Sequence, residues 1–336
     1  MHVLLALCLL LITTASCSAG EILNEVKARQ VLRCGISVDS PGLAAKDERG
    51  QWAGIEVDFC KAVAAAVLGD STKLTLRPLP LKARFSSLLS KEVDLLARNT
   101  SQTIGRQSQL GVLFVGPLCI TGQTFMVHGD GPRDLAGLLR APVCVLRGTT
   151  HVQNLEDVAL KNGVSAQPLL LDNAEQTWQA FVNRQCNAIT EDATLLAGGR
   201  LRFATDDQPL RIFPDLYTRE LIGLAVLQSD PQWFVTLQAI LSALITAEEI
   251  GLTAAIIRQP QGSVAQTAEM QIFLKRTDQL APSLGLSAGW ATRVIGTVGH
   301  YGEFFERNLG TNGPLKLDRG PNRLVKDGGM LFAVPF

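Results

Sequence analysis

Asn99-Thr100-Ser101 with Arg106, then Gly148-Thr149-Thr150, then Asp192 make up a split set of side chains whose chemistry matches a zwitterion. Arg106 offers a planar fork of donors that fits a carboxylate, the hydroxyls and a helix N-terminus add donors, and Asp192 offers an acceptor for an ammonium. The ligand such a set describes is an amino acid. One at a time the pieces have plainer roles, since Ser and Thr cap helices and Arg and Asp pair on surfaces. Their interest lies in where they recur.

Each piece falls where an apolar strand-like run gives way to a helical pattern. Strands are predicted over Val31 to Val38, Leu74 to Leu79 and Val93 to Ala97, with helices over Val57 to Leu68 and Ala83 to Leu89 between them. The order returns with strands at Val143 to Leu146, Ala166 to Leu171 and Ala188 to Thr190, and helices at Asn154 to Lys161, Glu175 to Val182 and Ala193 to Ala197. Such alternation predicts α/β units with parallel sheets in two lobes. Ligands bind at the carboxyl ends of strands in such sheets. Arg98 to Ser101 follow the third strand, with Thr103 as the N-cap of the short helix bearing Arg106; Gly148 to Thr150 and Glu191-Asp192 follow two later ones.

The crossings between lobes are expected in Pro117 to Gly131 and Phe213 to Ala225. Gln232 to Glu249 reads as a long amphipathic helix ending at Gly251, Glu303 to Arg307 as a short one, and Gln259 to Thr267 as a polar loop.

With 336 residues, 46% of them hydrophobic, the chain can bury a substantial core in roughly two domains. Its 31 basic and 31 acidic residues cancel, so no charge footprint favours nucleic acid or an anionic membrane. A small partner is expected.

Val3 to Ile12 is almost wholly apolar and runs into the small residues Thr13 to Gly20, which fits a signal peptide over residues 1–19 processed near Ala19. It is shorter than the roughly 20 apolar residues that span a bilayer. Lipidation at Cys17 is the other reading of this segment. Export makes the remaining cysteines disulfide candidates. Pairing Cys34 with Cys60 and Cys144 with Cys186, with Cys119 free, gives one bridge per lobe; five separate buried thiols is the alternative. No cysteine pair has metal-site spacing, only four His are present, and no cofactor is expected.

The chain resembles the periplasmic solute-binding proteins of ABC transporters for polar amino acids, of the general L-amino-acid-binding type. The resemblance rests on LRCGI at 32–36, GIEVDFCKAVAAAVLGD at 54–70, RFSSLLSKEVDLLARNTSQTIGR at 84–106 and RGTTHVQNLED at 147–157. QWFVTLQAILSALITAEEIG at 232–251, VGHYGEFFERNLG at 298–310, RGPN at 319–322 and GGMLFAVP at 328–335 extend it almost to the end. It implies two α/β lobes hinged by two crossing strands: lobe 1 over residues 20–125, lobe 2 over 126–222, and the rest of lobe 1 with a C-terminal extension over 223–336.

By the same resemblance Arg106 clamps the ligand carboxylate, helped by Ser101 and the backbone near Asn99. The Thr150 N–H holds that carboxylate from the other lobe, and Asp192 takes the ammonium. The liganded form would be presented by a monomer to permease subunits. Gln102, Ile120 to Phe125, Asn187, Glu56 and Leu43 depart from the family pattern, so breadth of specificity does not carry over.

The remaining conspicuous residues have bland readings: His151 facing solvent, Glu191 lining the rim or recognising a basic side chain, His300 and Tyr301 packing, and the four Trp as core anchors. No Ser/His/Asp triad emerges. Two alternatives share the fold: a periplasmic dehydratase of prephenate-like or arogenate-like acids using Glu191 or His151, and an amino-acid sensor without transport.

Overall fold

The computed structural model describes residues 20–259 and 267–336. The leader expected at 1–19 lies outside the described residues, as does most of the loop expected at 259–267.

The elements in the first half run α1 (Glu21–Arg29), β1 (Leu32–Ile36), β2 (Ala45–Lys46), β3 (Trp52–Ala53), α2 (Ile55–Leu68), β4 (Leu74–Pro78), α3 (Arg84–Leu89), β5 (Leu95–Ser101), α4 (Ile104–Leu110) and β6 (Val112–Thr121). Next come β7 (Gln123–His128), α5 (Leu135–Leu139), β8 (Val143–Leu146), α6 (Thr150–Lys161), β9 (Pro168–Leu171), α7 (Ala174–Val182), β10 (Ala188–Asp192), α8 (Ala193–Phe203) and β11 (Leu210–Ile212). The chain then returns through β12 (Glu220–Leu227) to α9 (Pro231–Glu249), α10 (Ala254–Arg258), α11 (Ala268–Leu280), α12 (Trp290–Val298) and α13 (Tyr301–Asn308).

Two five-stranded sheets result, in the orders β4-β1-β5-β12-β6 and β11-β7-β10-β8-β9. Each lobe of this two-lobed α/β fold is built on one of them. The expected parallel sheets are mixed instead: β12 runs against both β5 and β6, and β10 runs against β7 while lying parallel to β8. Hydropathy marks where a strand is and carries no sign of its direction, which here follows from the chain having to leave one sheet and come back.

The crossing is tight. Only Gly122 separates β6 from β7, and a Cβ there would stand 2.2 Å from the Thr218 carbonyl oxygen on the returning segment. The Gln123 N–H donates to Thr218 Oγ1 at 2.8 Å and the Tyr217 N–H to the Gln123 carbonyl at 2.9 Å. The two connections are thus stitched side by side, as a two-strand hinge requires.

The Ala-rich α2 is buried nearly all round, which fits a helix held between a sheet and further helices. Those further helices are α9, α12 and α13, which pack on it. Asn322, from the RGPN stretch, bonds both the N–H (2.6 Å) and the carbonyl (2.8 Å) of Ile120, and Tyr301 Oη donates to the Leu118 carbonyl at 2.9 Å. His300 caps α13 in a reciprocal arrangement with Glu303. The C-terminal region therefore braces β6 just before the hinge.

Cys34–Cys60 and Cys144–Cys186 are bonded, with Cα separations of 6.2 and 5.7 Å, and Cys119 is a buried free thiol. The bridges close separations of 26 and 42 residues, for which chain entropy gives roughly 3–4 kcal/mol each. Reduction with a phosphine should accordingly move the urea midpoint down by an amount equivalent to several kcal/mol. An unmoved midpoint would show that the bridges contribute nothing.

Candidate functional site

A cavity of about 540 Å³ lies between the sheets, and Asn99, Ser101, Arg106, Thr150 and Asp192 all line it. The strand predicted to stop at Ala97 continues to Ser101, because Thr100 and Ser101 pair with Gly223 and Ile222 of β12. That pairing points Asn99 and Ser101 into the cleft and buries Thr100, whose hydroxyl turns back to the Arg98 carbonyl. Thr103 caps α4 as expected, its Oγ1 accepting the Arg106 N–H at 3.1 Å. The Arg106 guanidinium is steadied by the Ser101 carbonyl. Across the cavity, Gly148 takes φ +78° and Thr150 opens α6, so its N–H belongs to the free first turn.

Asp192 stands at the end of β10. Its Oδ2 accepts from Asn99 Nδ2 at 2.9 Å, a bond that joins the two lobes, while its Oδ1 is buried without a hydrogen-bond partner. His151 Nε2 lies 3.4 Å from that oxygen, close enough for an ion pair, and neither ring nitrogen has a hydrogen-bond partner. The solvent-facing reading of His151 is wrong: the residue is 4% exposed, because the first turn of α6 points into the cleft.

Sequence reasoning missed Glu220, the first residue of β12. Its carboxylate accepts from Ser101 Oγ in one lobe, and from Thr150 Oγ1 (3.1 Å) and Asn154 Nδ2 (3.0 Å) in the other, with Thr218 Oγ1 at 3.3 Å. A lone acid at a strand start carries no local signal of such a role. Arg84, Arg98 and Trp178 also line the cavity. Trp178 joins a core cluster as expected, stacking on Phe203, and also walls the cavity. Of the positions that depart from the family pattern, Leu43 and Thr121 are buried outside the lining. Glu56 sits behind it, fixing the rim by accepting from the Ser37 and Asn99 N–H groups at 2.7 and 2.8 Å.

His151, Asp192 and Glu220 each offer one atom within 4.8 Å of the others. Both Glu220 oxygens already accept from hydroxyls and an amide, so the cluster suits an ammonium that donates to Asp192 Oδ1 better than a cation needing a full set of lone pairs.

Residues 32–200 match the bacterial extracellular solute-binding proteins, family 3. A general L-amino acid-binding periplasmic protein of Rhizobium johnstonii is 38% identical over 96% of this chain and 94% of its own. The chain belongs to this family. Among other members, a glutamate/glutamine/aspartate/asparagine-binding protein of Rhodobacter capsulatus is 36% identical over 96% of this chain and 95% of its own. A solved family relative, an ABC transporter/periplasmic binding protein from Brucella ovis with glutathione bound, superposes with a TM-score of 0.87 at 36% identity, covering 93% of this chain and 98% of that one.

The cleft of this family 3 protein holds acids of opposite tendency. Burial pushes Glu191 and Glu56 up to about 7. Burial alone would raise Asp192 too, yet the His151 charge, Asn99 and Arg106 hold it below its ordinary value. For His151, burial is likewise outweighed by the Asp192 carboxylate, with Glu220 and Glu191 beyond it, and its pKa rises.

Glu56, Glu191 and His151 therefore bind protons more tightly folded than unfolded. Their contribution to stability is full below their unfolded values and is lost as pH climbs through the folded ones. A shift of this size corresponds to about 3 kcal/mol per glutamate. Asp192 works the other way, but only as pH falls below its unfolded value near 3.8. Burial lowers the His300 pKa, so His300 works against this trend in the same window; with two glutamates and His151 on the other side, the melting temperature should be higher at pH 5 than at pH 8, and the opposite order would mean that these three groups do not bind protons more tightly in the fold.

Proposed function

We infer that this protein captures L-amino acids outside the cytoplasmic membrane and delivers them to an ABC permease. The observation that carries this reading is the buried Asp192 Oδ1, which accepts no hydrogen bond and has only the His151 ring at ion-pair distance, in one cavity with Arg106 and with Thr150, whose N–H lies in the free first turn of α6. An α-carboxylate between Arg106 and Thr150 leaves the ammonium to Asp192. The expected help of Ser101 and the Asn99 backbone with the carboxylate is corrected, because the Asn99 N–H is spent on Glu56 and the Ser101 hydroxyl on Glu220; both residues orient receiving groups instead, Asn99 Nδ2 occupying the second Asp192 oxygen and Ser101 holding Glu220.

Capture and closure are one event on this reading. Arg106, Asn99 and Ser101 belong to the lobe of the first sheet, and Thr150 and Asp192 to the other. A ligand touching Arg106 on one side and Thr150 and Asp192 on the other therefore has higher affinity for the closed arrangement and shifts the population toward it. The bonds through Glu220 and Asn99 help hold that arrangement. At the rim, exposed ion pairs Lys82–Asp172 and Arg202–Asp39, each 3.5 Å, add roughly 1 kcal/mol or less apiece.

The protein acts as a monomer and without turnover. Residues 1–19 direct export and are removed near Ala19. The relatives support the ligand class, being named for binding L-amino acids or, in the solved case, holding glutathione. Calorimetric titration with the twenty amino acids tests it: at least one L-amino acid should bind with its D-enantiomer far weaker. Silence across the set would remove the central claim.

A further inference from the structure

One oxygen in the cleft is claimed twice. Asp192 Oδ1 is the acceptor left for a ligand ammonium, and His151 Nε2 already stands 3.4 Å from it. The other Asp192 oxygen accepts from Asn99 Nδ2 at 2.9 Å. The Glu220 carboxylate is occupied by Ser101, Thr150, Asn154 and Thr218. Burial pushes Glu191 up to about 7, which makes it a poor second anion. The His151 ring cannot swing away to another partner, because it is buried and Gln123 Nε2 bonds its backbone carbonyl at 3.0 Å, tying the first turn of α6 to β7.

Charges surround this ring on several elements. Asp192 and Glu191 come from β10 and Glu220 from β12, while Arg84 and Arg106 line the same cavity from α3 and α4. Burial opposes a charged ring, and the Asp192 carboxylate, with Glu220 and Glu191 beyond it, outweighs burial and raises the His151 pKa. Without ligand the ring therefore carries its proton close to neutral pH, with Asp192 as its counter-charge. An ammonium on Oδ1 takes that counter-charge and adds a second cation beside the ring. The ligand carboxylate does not compensate, since Arg106 and the Thr150 N–H receive it. Two cations facing one buried carboxylate oxygen disfavour each other, and the imidazolium is the one that can shed its charge near pH 7.

We propose that ligand capture displaces a proton from His151, so that this protein takes up an amino acid in exchange for a proton and loses affinity as the medium acidifies. The N–H bond at Nε2 breaks, its electron pair stays on the neutral imidazole, and the proton passes to solvent as the ammonium takes Asp192 Oδ1. The freed Nε2 lone pair then becomes a second acceptor for the same ammonium. The proposal rests on the amino-acid reading of the cleft. Its sign follows from linkage: between the ring's bound and ligand-free pKa values each ligand must expel a proton, so affinity falls by up to about tenfold per unit drop in pH. Above the ligand-free value no proton is left to expel, and affinity is level.

Calorimetry at about pH 6.5, in phosphate and in bis-Tris, counts the protons from the difference in heat; α-amino groups titrate near 8 or above, so the ligand's own ammonium contributes none. The probes are the L-amino acids that bind in the twenty-member titration, L-histidine set aside because its own ring titrates there. The wild type should release at least about half a proton per ligand, and its dissociation constant should rise roughly three- to tenfold from about pH 7.5 to about pH 6. His151→Gln should release almost none and keep a level affinity over that window. Imidazole NMR of the wild type gives the same answer without a variant: on saturation with any binder the His151 titration should move to lower pH, while His128 and His300, which do not line the cavity, stay where they are. Binding without proton release overturns the exchange and leaves the amino-acid reading standing, as does a release that persists in His151→Gln, which would assign the proton to Glu191 or Glu56. A His151 titration unmoved by ligand does the same. Failure of every amino acid to bind overturns both.

Discussion

Replacing Arg106 with Ala should weaken binding of every L-amino acid ligand by roughly 100- to 10,000-fold. A bidentate guanidinium–carboxylate pair makes two charge-assisted hydrogen bonds, each worth roughly 1.5–3 kcal/mol, and about 1.4 kcal/mol is a tenfold change. The loss should be uniform across ligands, because Arg106 reads the carboxylate common to all of them. Arg106→Lys restores charge without the fork and should recover only part. The residue is half-buried on a short helix, so the melting temperature should stay close to that of the wild type. Calorimetry on both variants decides the matter, and wild-type affinity in Arg106→Ala would exclude it from the site.

Asp192→Asn should cost a similar amount, about 3–5 kcal/mol, because a buried ligand ammonium would lose its charged acceptor. The change keeps the shape and a group able to bond Asn99, so the loss reports the charge. Ligand chemistry supplies the control: removing the amino group from the ligand should be costly with the wild-type protein and nearly free with Asp192→Asn. Independent, additive losses would place the ammonium elsewhere. His151, 3.4 Å from Asp192, should lose the partner that raises its pKa, so its titration followed by NMR should move to lower pH in the variant.

Much of the lower-level organisation could be read from residue patterns. Most of the predicted strands and helices of both lobes appear within a few residues of their expected bounds, and the two predicted cysteine pairs are bonded. Arg106, Thr150 and Asp192 were legible because each sits at a strand end or in a helix first turn, where local sequence signals are strong. His151 was misread for a local reason as well: a first-turn position is exposed on an isolated helix, and only the facing lobe buries it. Glu220 and Arg84 had no local signal. One begins a strand beside Arg219 and the other begins a helix beside Phe85, and either would pass for a solvated charge.

The sequence by itself determined the element order, the cysteine pairs that could meet, and the chemical type of the groups at the strand ends. The tertiary structure alone decided the direction of the strands and which groups share a cavity. Asn99 meets Asp192 across 93 residues, and Ser101 meets Glu220 across 119. Periodicity and capping act over a few residues, within one element. Contacts across the cleft depend on how two sheets are set against each other by Gly122, Thr218 and the bracing of β6, and that arrangement is a property of the packed chain.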